Sequence, residues 1–246
     1  MSDVVTEVRR RLAEAADPER APQMQAYMKS AMPFLGVSTP SLRAVLREVF
    51  AEHRLPDRAA WQAAVLALWD QARFREERYA AIELTGHRYY RGWQDAEALR
   101  LYQHLVVTGA WWDYIDGIAS ARVGTILRAD PATVEPGVRA WAEDADLWLR
   151  RTAILCQLGS KAETRTDLLE HVLDRNLLGS RHGGEFFIQK AVAWALREHA
   201  KTDPEWVQAY VARHHDALAP LSRREALKNL RPRRPRRAAT RPGRGS

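Results

Sequence analysis

GVSTPSLRAVLREVFAEH, residues Gly36 to His53, is the stretch that fixes the fold class. Thr39 is placed as an N-cap, Pro40 stands at the first helical position, and Leu42, Val45, Leu46, Val49 and Phe50 recur at helical spacing. A start signal followed by one apolar stripe reads only as an amphipathic helix. Working outward, LPD follows, and Asp57 can cap a second helix whose stripe is Trp61, Val65, Leu68 and Trp69. The same periodicity predicts helices at about 75–85, 96–107, 111–127, 131–142, 147–158, 166–177, 185–199, 204–214 and 222–229. The DPE at Asp17 to Glu19 and the segment APQMQAYMKSAM add one or two near the N-terminus. Valine, isoleucine and threonine never collect into alternating runs bounded by turn residues, so no strand can be placed. The fold class is all-α, built from short helices and short loops.

A repeat emerges when the helices are aligned. FREERYAAIEL from Phe74, WDYIDGIAS from Trp112, LWLRRTAILCQL from Leu147 and FFIQKAVAWAL from Phe186 share one pattern. A bulky apolar residue is followed four positions later by a charged one: Arg78, Asp116, Arg151 and Lys190, with separations of 38, 35 and 39 residues. Two helices per unit at this period approach the ~40–47 residues of HEAT or armadillo units. Units of that kind stack into an α-solenoid with one continuous concave face, along which the four charges would line up. An aspartate in a row of cations is unusual for a basic groove.

Composition bounds the rest. With 246 residues, 46% of them hydrophobic, the chain can bury a core as one large domain or two small ones. Its uncharged apolar runs, such as Ala191 to Leu196, fall far below the roughly 18 residues of a membrane span. The N-terminus lacks an apolar signal core, so the expected compartment is cytoplasmic. Cys156, the single cysteine, forms no intramolecular disulfide and is expected to pack as a small buried residue. The net charge of +7 is concentrated in RPRRPRRAATRPGRGS, residues 231–246, which holds seven arginines and no acid. Removing those seven from 38 basic residues leaves 31 against 31 acidic ones, so the body is neutral overall. Basic character there matters only if it is segregated on one face. There is no H-E-x-x-H, C-x-x-C, Walker loop or G-x-G-x-x-G, so neither a metal nor another cofactor is expected.

Trp112 and Asp116 are i, i+4 neighbours, about 5–6 Å apart at Cβ, and can address one bound object. An aromatic face beside a carboxylate suits a cationic ligand, and arginine and lysine from flanking units would add phosphate contacts. A cation flanked by phosphates describes an alkylated nucleotide. Alkylation at N3 or N7 leaves a purine positively charged, so it departs from C1′ without a general acid. What remains is to stabilise an oxocarbenium-like sugar and position water, which a carboxylate does. Against this stands the commoner use of helical tryptophan as core and of Arg–Asp pairs as structural ties; at least one of Trp111 and Trp112 should be core, because adjacent helical residues diverge by about 100°.

The blocks YMKSAMPFLGVSTPSLR, VTGAWWDYID, LWLRRTAIL, EFFIQKAVAWALREHAKTDP and LAPLSRREALK, in this order over about residues 5–230, resemble the DNA alkylation repair family, the AlkD-like DNA glycosylases. The resemblance implies a single HEAT-like repeat domain over 1–230 whose concave face holds duplex DNA containing alkylated bases. It implies excision of 3-alkyladenine and 7-alkylguanine by N-glycosidic hydrolysis, without flipping the base. The family's catalytic aspartate falls on Asp116, its cleft tryptophans on Trp112 and Trp194, a further cleft aromatic on Tyr27, and its active-site arginine on Arg151. Arg151, Lys190 and Arg78 are then the expected phosphate contacts. No lysine matches a Schiff-base nucleophile, so a monofunctional glycosylase is expected, acting as a monomer near the nucleoid. The tail at 231–246 lies outside the resemblance and is expected to be disordered and to bind DNA weakly. The competing readings are a non-catalytic binder of branched or distorted DNA, a helical-repeat scaffold for proteins, and a narrower enzyme for bulky adducts.

Overall fold

A computed structural model describes residues 3–228 and residue 230. The Arg/Pro-rich tail at 231–246 lies outside the described residues. Among the described residues there are helices and no strands, and the chain is an all-α helical-repeat solenoid.

Helices α1 (Asp3–Glu14) and α2 (Ala21–Met28) precede α3 (Thr39–Glu52), α4 (Arg58–Asp70) and α5 (Arg75–Thr85). After two 3-10 turns, Arg88–Trp93 and Ala96–Ala98, come α6 (Leu99–Gly109), α7 (Trp112–Ile118), a π segment at Ala119–Val123 and α8 (Gly124–Ala129). The chain continues through α9 (Pro131–Glu143), α10 (Leu147–Leu155), α11 (Thr166–Asp174), α12 (Phe186–His199), α13 (Pro204–Arg213) and α14 (Pro220–Ala226). Helices α3, α5, α7, α10, α12 and α14 form one row, each packed on the next. Helices α4, α6, α9 and α13 back that row, and α11 packs on both α9 and α10. The charged positions of the sequence repeat, Arg78, Asp116, Arg151 and Lys190, therefore sit on consecutive members of one row: α5, α7, α10 and α12.

Carboxylate caps fix where these helices start. Asp57 accepts from the Ala60 amide at 2.8 Å, Asp130 from Thr133 at 3.1 Å and Asp203 from Trp206 at 2.9 Å. Asp146 accepts from both Trp148 and Leu149, which sets the register of α10 and so the direction of Arg151. At α3 the cap is Ser38 rather than the expected Thr39: the Ser38 hydroxyl accepts from the Ser41 amide, and Thr39 and Pro40 occupy the first helical turn.

A continuous core runs from Val4 to Ala226, with Trp61, Trp69, Tyr102, Tyr114 and Tyr210 fully buried. Cys156 is buried with them, and burial pushes its thiol up to about 12. Three charged residues in a row enter the interior at the start of α5. The Glu76 carboxylate accepts the amides of Leu35, Gly36 and Val37, holding the approach to α3, and Glu77 accepts from Arg9 and from the Arg73 amide. Arg75 turns toward α7.

The expected single helix over 111–127 is broken. The Ser120 hydroxyl bonds back to the Asp116 carbonyl at 2.8 Å, a contact that bends helices, and the π turn follows directly. Gly124 then passes so close to α10 that a Cβ would lie 2.0 Å from the Cys156 carbonyl oxygen. Only glycine allows that approach, which sets the start of α8 against the C-terminal end of α10. No described helix is long and apolar enough to cross a membrane.

Candidate active site

Six of the seven residues singled out from the sequence line one groove of about 450 Å³: Tyr27, Trp112, Asp116, Arg151, Lys190 and Trp194. They come from α2, α7, α10 and α12, and Glu225 of α14 closes one end. The seventh, Arg78, is not among the groove residues. Its guanidinium lies 4.8 Å from the Trp69 ring centre and donates to the carbonyls of Trp69 and Thr108. Those contacts turn it toward the α4 and α6 layer, so the repeat position is shared but the side chain's direction is not.

Asp116 and Arg151 meet across the α7–α10 contact. Arg151 Nε donates to Asp116 Oδ1 at 2.8 Å and Nη2 to Oδ2 at 2.9 Å, while Nη1 donates to the Phe187 carbonyl at 2.5 Å. Three of five guanidinium N–H groups are thus engaged, which leaves two for another anion. Arg151 was expected above all as a phosphate contact; its first partner is the carboxylate. The Asp116 side chain retains 16% exposure and lines the groove, against 5% for Arg151. Burial raises the Asp116 carboxyl above its ordinary value, the Arg151 guanidinium pulls it back, and the charge of Asp113 adds to the rise.

Asp113, one helical turn earlier, is held differently. Arg75 donates to both its oxygens at 2.7 and 2.8 Å, and the Tyr79 hydroxyl adds a bond at 2.6 Å. Arg75 also reaches the Ser30 hydroxyl at 3.2 Å and lies 4.2 Å from the Tyr114 ring centre. This carboxylate spends its acceptors inside the protein, whereas Asp116 is gripped by one residue only. The two pairs pin α7 between α5 and α10.

The aromatic walls divide as adjacent helical positions must. Trp111 packs against Trp148 and Phe187, with ring centres 6.2 and 5.6 Å away, while Trp112 lines the groove. Tyr27 is 77% exposed, and Trp194 is half-buried. Among the described residues none of Tyr27, Trp112 and Trp194 makes a ring–ring contact, and Trp194 packs in part against the core. Sequence reasoning missed Phe186, which it used as a generic bulky position and which is 59% exposed beside the groove, with Lys190 Nζ 6.0 Å from its ring centre. It also missed Phe187 and the Arg197–Glu225 pair at 2.7 Å. A doubled phenylalanine at a helix start was the available signal.

Two trios of metal-capable groups lie outside the groove among the described residues: Glu7, Glu52 and His53, and Glu170, Asp174 and His214. In the first, Glu7 is taken by Arg10 and Arg11; in the second, Arg213 pairs with Glu170 at 2.5 Å. Both read as ion-pair networks.

The family model for DNA alkylation repair enzymes matches residues 8–230. A solved structure from Enterococcus faecalis, described as a predicted DNA alkylation repair enzyme, is 31% identical with a TM-score of 0.72, covering 87% of this chain and 96% of its own. No curated protein matches the chain.

Proposed function

The chain belongs to the DNA alkylation repair enzyme family, and from that premise we propose that it is a monofunctional DNA glycosylase that releases cationic alkylated purines from duplex DNA. The observation that carries this reading is the placement of Asp116: a carboxylate raised by burial, fixed from one side by Arg151, and bordered on the groove by Trp112, Trp194 and Tyr27.

Each part has a task. The groove-lining aromatics and the carboxylate favour a positively charged nucleotide over a neutral one, by cation–π attraction and charge pairing. When the C1′–N bond breaks, its electron pair goes to the purine and neutralises it, and positive charge moves to the sugar. A preorganised anion is worth most at that moment, because it does not need to reorient. The pair of contacts from Arg151 holds Asp116 at a fixed angle, so the carboxylate faces C1′ and the incoming water. Water adds to C1′, and the proton it loses as the hydroxyl forms passes to the Asp116 carboxylate and on to solvent. The two unused N–H groups of Arg151 and the exposed ammonium of Lys190 hold flanking phosphates. Selection rests on the lability and charge of the lesion, and the base is not drawn into a pocket, in contrast to base-flipping enzymes. The HEAT-like face acts on duplex DNA as a monomer.

The test is direct: purified protein is incubated with methylated duplex, and free 3-methyladenine and 7-methylguanine are measured against release from unmodified duplex. Release of neither base above the spontaneous rate would remove the catalytic reading and leave DNA binding alone.

A further inference from the structure

A second cleft, of about 710 Å³, lies between α3 and the end of α5 and shares no residue with the Asp116 groove. Its walls include Arg43, Arg47, Glu83, His87, Arg88 and Tyr89. The acids at its edge are already neutralised: Arg43 binds Glu83 at 3.2 Å and Arg11 binds Glu48 at 3.3 Å. The other cations are not. Among the described residues Arg47 and Arg54 have no carboxylate partner, and Arg88 donates only to the Tyr89 hydroxyl, at 3.2 Å. Tyr89 lies between two of them, with the Arg54 guanidinium 4.0 Å and that of Arg88 5.0 Å from its ring centre. Contact with one ring keeps these two guanidiniums in place while the N–H groups not turned to the Tyr89 hydroxyl remain for an anion. Arg47 and Arg88 thus line the cleft without a carboxylate partner, and Arg54 adds a third such cation against its Tyr89 wall, in a body that is neutral overall.

We propose that this cleft is a second nucleic-acid contact, holding the phosphodiester backbone of the duplex away from the lesion. The inference rests on duplex DNA being the partner, as proposed above. Along the row α3, α5, α7, α10, the cleft is at least two helix spacings from Arg151; at about 8–10 Å each this is roughly 20 Å. That distance corresponds to about six base pairs at about 3.4 Å per phosphate along a strand. Three cations at this remove match an extended polyanion better than a single small phosphate.

The test compares the wild-type chain with the combined variant Arg47→Gln, Arg54→Gln, Arg88→Gln on unmodified duplexes of two lengths. On a duplex of about 24 base pairs the variant should bind more weakly, and its plot of log affinity against log salt should be shallower by about two to three units, since each phosphate contact contributes about 0.9. On a hairpin with a stem of about 4 base pairs, about 14 Å long and too short to reach both sites, the two proteins should bind alike, and their melting temperatures should agree. Identical affinity and slope on the long duplex would overturn the proposal, as would an equal loss on the short one or no binding by the wild-type chain. Because no lesion is used, a failure of the glycosylase reading leaves these measurements intact and is told apart from a failure of the cleft.

Discussion

Arg151 reaches from α10 to α7 and closes on both carboxylate oxygens of Asp116, at 2.8 and 2.9 Å, without removing that side chain from the groove. An ion pair so enclosed loses hydration on one side only, and the carboxylate stays available to a ligand on the other. The pair therefore orients the acid instead of retiring it.

The first consequence concerns pH. In the proposed reaction Asp116 acts as an anion, and burial raises its pKa, so base release should fall as pH drops through a value higher than the ordinary one for an aspartate. The sign for stability is the reverse: a raised folded-state pKa favours the folded protein at low pH, and that contribution is lost as pH rises through it. Replacing Arg151 with glutamine removes the influence that lowers the Asp116 pKa, so the acid limb of the rate profile should move upward. Single-turnover rates across pH for both proteins check this, and an unmoved limb would place Arg151 outside the electrostatics of the site.

Asp113 and Asp116 should separate cleanly by function. Asp113 is tied to Arg75 and Tyr79, and Asp113→Asn leaves a buried guanidinium without its anion. A loss of about 3 kcal/mol in unfolding free energy is expected. Urea denaturation measures it. A variant as stable as the wild type would show that the Arg75 network contributes nothing to holding α7.

Gly124→Ala tests the close approach of α8 to the end of α10. Its Cβ would stand 2.0 Å from the Cys156 carbonyl, a backbone atom that cannot swing aside. The chain must open by more than an ångström there, at a cost of about 3 kcal/mol, and the Asp116–Arg151 pair should loosen with it. Thermal unfolding and base release should both decline; an unchanged melting temperature would mean that the α8–α10 contact adapts freely.

Much of this was legible in the residue order because helices write their faces every three to four positions. The stripe from Leu42 to Phe50, the capping role of Asp57 and the row of units carrying Asp116, Arg151 and Lys190 all follow from that period. Periodicity gives a side chain's position on its helix and not its final direction, which is why Arg78 turned to Trp69 while Arg151 turned to Asp116. Long-range polar ties are silent in sequence: nothing in the residue order marks Arg75, Glu76 and Glu77 as interior, yet all three are buried, tied to residues far away in the chain. The π turn after Asp116 was equally hidden, since it depends on a serine bonding to its own backbone and on a contact with α10.

The account stands most directly on Asp116→Asn, assayed for release of 7-methylguanine from methylated duplex beside the wild-type protein, with duplex affinity and melting temperature recorded for both. Removing the charge while keeping the shape should lower the single-turnover rate by about two orders of magnitude or more, with affinity within a few-fold of wild type. A folded Asp116→Asn protein that releases the base at the wild-type rate would contradict it.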